Sequence, residues 1–135
     1  MELVIFADKS KLFEELLEEK LEQFLSRSAD ALMHRAMDNT PVKTGKTRSA
    51  WKKQLEPQSY CAVVGNTEKN SLWEEFGTGQ YALSGNGRKD GWVYHDKDGF
   101  HFTEGKPPHR CLLNAFVSSK EEIKRMAEEM LSEVI

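Results

Sequence analysis

Cysteine is scarce in this chain: Cys61 and Cys111 are the only two, and they fall in different segments. That is too little for a disulfide framework, so two reduced thiols are the expectation. Long apolar runs are missing as well. The first, Leu3 to Phe6, has four residues with an acid before it, whereas a secretory signal needs a basic start and a longer apolar stretch. No run approaches the roughly 18 apolar residues of a membrane span. The chain is therefore expected to be made and kept in a reducing cytoplasm, with no membrane contact. Nor is there an excess of basic charge. A net charge of −3 and a pI near 5.8 give no global attraction to nucleic acid or to an anionic surface. Any DNA contact would have to come from a local patch.

What is present suits a globular protein. At 135 residues, with 39% hydrophobic and 30% charged side chains, one domain spanning 1–135 is expected. A domain of this size buries about two-thirds of the surface of its unfolded chain and needs neither metal nor disulfide to fold.

Leu3 to Phe6 reads as a short strand or extended arm. From Lys11 to Asp38 nothing breaks a helix, and Asp8 or Ser10 can cap it. Its apolar residues come in doublets a multiple of four apart: Leu12/Phe13, Leu16/Leu17, Phe24/Leu25, Leu32/Met33, Ala36/Met37. A step of four overshoots one helical turn by about 40°, so the stripe winds around the axis. Either the helix bends near Lys20 to Gln23, or its two halves meet different neighbours, the second being another subunit. Leu12, Phe13, Leu16 and Leu17 are the expected subunit contacts, or an exposed patch in a single chain.

Thr40-Pro41 should end that helix. A second, about Gly45 to Gln54, is expected after Thr44. It would carry Lys46, Arg48, Lys52 and Lys53, which with Lys43 form a basic, partner-facing patch. Tyr60 to Val64 reads as a central strand buried on both faces. Ser71 to Phe76 reads as a short turn or strand, and Gly79 to Gly91 as a loop of low order that settles only against a partner. Trp92 to Thr103 is a hairpin. A three-residue loop, Lys97-Asp98-Gly99, would set Tyr94 opposite Phe102 and place Trp92, Tyr94, Phe100 and Phe102 on one face. His95 would then lie across from His101, and mutual repulsion would lower one imidazole's pKa. Pro107-Pro108 leads into a C-terminal helix, re-started near Ser118 and Ser119, which precede Glu121 and Glu122 by three. The whole is expected to be α+β: long N-terminal and C-terminal helices packed on a small antiparallel sheet with a hairpin.

Three stretches together resemble one family. "NTPVKTGKTRSAW" (Asn39 to Trp51) is similar to the Thr-Pro-Val-x-Thr-Gly-x-x-Arg segment of the gene-product-ten-like proteins of long-tailed phages. "VVGNTEKNSLWEEFGTGQY" (Val63 to Tyr81) resembles their Val-Gly-Asn/Thr strand and Glu-Phe-Gly-Thr-Gly turn. "GKPPHRCLLNAF" (Gly105 to Phe116) resembles their closing Pro-x-x-Phe-Leu-x-x-Ala-Phe helix start, with Cys111-Leu112 where an aromatic-leucine pair is usual. The resemblance implies a structural virion protein of a phage or prophage: a head–tail joining (neck), tail-completion or minor tail subunit. It implies a homo-oligomeric ring that meets head-closure and tail proteins, assembled in the host cytoplasm and carried into the virion. No catalytic residue is carried over from it, and no metal or cofactor is expected.

Local geometry accounts for the motif residues: Thr44 caps and Gly45 turns into a helix, Gly77 and Gly79 allow close approach, and Pro107 and Pro108 open the last helix. Other chemistries are weaker. His95, His101, His109 and Cys111 are zinc-ligand types but lack close spacing. Glu104-x-Lys106 with Asp90, Asp96 or Asp98 is the raw material of a metal-dependent nuclease, without a framework to hold it. Cys111, two residues after His109, could be a thiolate of lowered pKa. The alternatives to a virion protein are thus a small metal-dependent phage nuclease and a cytoplasmic adaptor domain. In a ring, the basic patch fits an acidic neighbour better than DNA in the lumen.

Overall fold

The computed structural model describes residues 2–42 and 45–135, with the side chains of 11–42, 45–56 and 58–135. Lys43 and Thr44, and the capping and basic roles expected of them, lie outside the described residues. The fold is α+β, with two long helices and two separate two-stranded antiparallel sheets.

Helix α1 runs unbroken from Glu2 to Asn39, so Leu3 to Phe6 are helical and not a strand or arm. Four apolar residues have no neighbouring strand to pair with there, and without one an extended segment gains nothing over a helix that continues. The end of α1 is chemical. Thr40 precedes proline, and its hydroxyl donates back to the Ala36 carbonyl (2.6 Å) while accepting from Trp51 Nε1 (2.8 Å). Helix α4, Cys111–Val134, lies antiparallel against α1 without a re-start at Ser118. Asn39 donates to the Cys111 carbonyl at one end, and Lys20 pairs with Glu133 at 2.7 Å at the other. Between them Arg35 donates to the Ser118 carbonyl and pairs with Glu122.

The expected second helix is reduced to one turn, α2 (Lys46–Ser49), and Trp51–Glu56 is strand β1. Its pattern is two-fold: Trp51, Lys53 and Leu55 are covered while Lys52, Gln54 and Glu56 face water. That is strand periodicity. β1 pairs with β2, Cys61–Asn66, in a register that sets Trp51 opposite Asn66 and Leu55 opposite Ala62. β2 has no second neighbour, and Val63 is exposed, so it is not a central strand buried on both faces. Ser71 to Phe76 belong to helix α3, Lys69–Phe76, not to a strand.

The hairpin exists, β3 (Trp92–Asp96) with β4 (Gly99–Thr103), but its register is one step from that expected. Asp96 faces Gly99 across a two-residue turn at Lys97-Asp98, and Tyr94 faces His101. Asp96 decides this, because its carboxylate accepts from the Asp98 amide and from His101 Nε2, both at 2.8 Å. The aromatics are therefore split. Trp92, Tyr94 and His101 share one face; Val93, His95, Phe100 and Phe102 share the other, where Phe100 is 79% and Phe102 66% exposed. His95 meets the edge of Phe100 and not His101, and the expected histidine repulsion goes with the register.

The core is small: Ala36, Trp51, Cys111 and Ala115, with Leu32, Met33, Met37, Val64 and Leu112 around them. It sits where the end of α1, the start of α4 and the β1–β2 sheet converge.

Candidate functional site

The densest polar cluster joins α3 and its following turn to the start of α4, and Glu74 stands at its centre. This carboxylate is 4% exposed and accepts from Lys106 Nζ and from His109 Nδ1. The Glu74 carbonyl accepts the amides of His109 (2.7 Å) and Arg110 (3.3 Å). Burial alone would raise the Glu74 pKa, but the hydrogen bonds from Lys106 and His109, with the Lys106 charge, outweigh it and hold the carboxyl below its ordinary range. One residue on, Glu75 caps α4. Its two oxygens accept the amides of Leu112 (2.8 Å) and Leu113 (3.2 Å), which a helix N-terminus leaves without partners. Arg110, in the left-handed region at φ 53°, makes the turn into that helix and lays its guanidinium over the Phe76 ring.

The glycines next to this pair let two backbones touch. Gly79 has φ +60°, and a Cβ there would lie 2.4 Å from the Glu104 carbonyl oxygen. Thr78 completes the joint by donating its amide to the Lys106 carbonyl (2.9 Å) and accepting the Lys106 amide on its hydroxyl (2.9 Å). The two segments 74–79 and 104–113 are thus one unit, with Pro107 and Pro108 in the connector between them. Proximity in sequence gave no sign of it; a glutamate pair just before a Gly-x-Gly turn was the available signal.

Beside the joint runs a groove of about 720 Å³, walled by Trp73, Trp92 and Tyr94 and bordered by Pro41, Lys46 and Lys106. Its ionic groups have partners across the rim: Lys106 with Glu74, and Lys46 with Glu68 at 3.7 Å. The groove offers aromatic faces for apolar contact.

The expected basic patch is not one surface. Arg48 turns inward and donates to the carbonyls of Met37 (2.9 Å) and Asp38 (3.3 Å), capping the end of α1. Lys53 pairs with Asp30 at 2.7 Å, while Lys52, its neighbour on a strand, points to the other face of the sheet. The strand that replaced the helix dispersed these charges. Asn66, which sequence reasoning passed over, pins α2 by donating to the Thr47 carbonyl at 2.8 Å.

The weaker candidates are not brought together. His101 is held by Asp96, His109 by Glu74, and Asp90 by Arg88 at 3.1 Å. Glu104 accepts from Gln80, and Lys106 is engaged by Glu74. Among the described residues no three His, Cys, Asp or Glu side chains gather as a metal would need. The Cys111 thiol is buried and donates to the Asn39 carbonyl (3.3 Å). Burial, with Glu74 and Glu75 nearby, pushes its pKa up, opposite to what a nucleophilic thiolate requires.

Leu12, Phe13 and Leu16 stand 65%, 48% and 38% exposed, and Leu17 is half-buried. Among the described residues no helix is long and apolar enough to cross a membrane. No family model, curated protein or solved structure matches the chain.

Proposed function

We propose that this chain is a structural subunit of a tailed-phage or prophage particle, part of a head–tail joining or tail-completion ring. Its partners are further copies of itself and the neighbouring head-closure and tail proteins. The observation that carries the reading is the balance of apolar surface. Large apolar side chains stand exposed on α1, α3, α4 and the outer hairpin face, while the buried core is built mostly of small residues. Apolar patches spread over several faces mark a protein that is completed by neighbours.

The resembling segments support the same reading from another side. Their polar residues are spent within the chain: Thr40 on Trp51, Glu74 on Lys106 and His109, Glu75 on the start of α4. They hold a frame, and the aromatic groove beside it suits a neighbouring protein's side chains. The test is electron microscopy of particles made without this gene. Separate filled heads and tails are expected, and restoring the gene should join them. Normal joined particles would refute the proposal.

A further inference from the structure

Helix α1 is far longer than its partner. Lys20 already meets Glu133, and α4 ends at Val134. Residues 2–19 therefore run past the end of α4 as a rod of about 27 Å. Of its described side chains, Leu12, Phe13 and Leu16 point outward, edged by Glu15 and Glu19, and a helical segment that leaves its apolar face uncovered gains little from tertiary packing.

On α4 a complementary stripe faces away from α1. Leu113 and Val117 lie on it, 43% and 63% exposed, followed by exposed Lys120 and Lys124. Helical spacing puts these four in one row, since each is three or four residues from the next. The same spacing joins Leu12, Leu16 and Glu19.

We infer that the α1 overhang of one copy docks on the outer α4 stripe of the next. The two helices lie parallel, with Leu12 beside Leu113, Leu16 beside Val117 and Glu19 beside Lys120. Apolar groups then meet apolar groups at Leu12 and Leu16, and Glu19 meets Lys120, with Glu15 and Lys124 adding negative and positive charge on the two sides. Pairing of two overhangs side by side in the same direction lacks this match, because Glu14, Glu15, Glu18 and Glu19 of one then face those of the other. The contact is heterologous, so each copy keeps one donor and one acceptor surface, as a ring or an open chain requires. Its closure into a ring rests on the proposed function; the contact itself does not.

Charge reversal tests it, read by sedimentation of the full chain at low salt. The wild-type chain should self-associate. Glu15→Lys/Glu19→Lys should weaken association about tenfold or more, and so should Lys120→Glu/Lys124→Glu. Mixing these two variants should restore association, because each reversed surface then meets a complementary one on the other variant. The chain with all four reversals should self-associate again. All four sites are exposed, and circular dichroism would confirm that α1 and α4 remain folded. A monomeric wild-type chain, or association indifferent to the reversals, would overturn the docking. Joined particles without the gene would instead defeat the neck reading while leaving the contact standing.

Discussion

Glu74 and Gly79 fail in different ways when changed, and the difference follows from what each one touches. Glu74→Gln leaves Lys106 and His109 without their anion; both are partly exposed and can rehydrate, so about 1–2 kcal/mol should be lost at pH 7. The folded carboxyl titrates below its unfolded value. Its stabilisation is therefore full above the ordinary carboxylate range near 4 and disappears as the pH falls through the folded pKa. Urea unfolding of both proteins should show a gap at pH 7 that narrows in acid; a gap that is constant with pH would rule out the charge as its cause. Gly79→Ala meets the Glu104 carbonyl and a positive φ together. It should cost about 1–3 kcal/mol at every pH, so its unfolding midpoint falls while its pH profile keeps the wild-type shape.

Between elements, partners decide what each segment becomes. Trp51 to Glu56 would make an adequate helix alone, but β2 offers a strand partner and the Trp51 ring finds the Thr40 hydroxyl. In the hairpin, aromatic burial would favour one register, yet β3 and β4 have no layer over Phe100 and Phe102 in this chain. With no burial to gain there, the Asp96 hydrogen bonds to the turn decide. The loop from Gly79 to Gly91 divides the same way. Its first part is tied, with Leu83 donating its amide to the Phe76 carbonyl at 2.9 Å, and Gln80 and Ala82 held nearby. Arg88 and Asp90 pair with each other and are exposed. Amide exchange should therefore be slow at Leu83 and fast from Arg88 to Asp90, slowing there only when a partner binds. Uniform protection across the loop in the isolated chain would contradict this.

At the scale of the whole molecule, periodicity and punctuation made the long helices legible. Thr40-Pro41 marked the end of the first, Pro107-Pro108 announced the last, and the doublets of α1 implied that one packing face could not serve its full length. These signals are local, and each is written in residues a few positions apart. The α+β class followed from them. The joint was different in kind, since Glu74 and Lys106, or Glu75 and Leu112, are distant in sequence and nothing in either segment alone specifies the other. Helix against strand at Trp51, the hairpin register and the scattering of the basic residues were settled by tertiary contacts, because each choice turned on which partner group was near enough to pair. The sequence by itself determined where helices could start and stop. Only the fold decided which polar groups were used to hold it together, and which apolar ones were left for a neighbour.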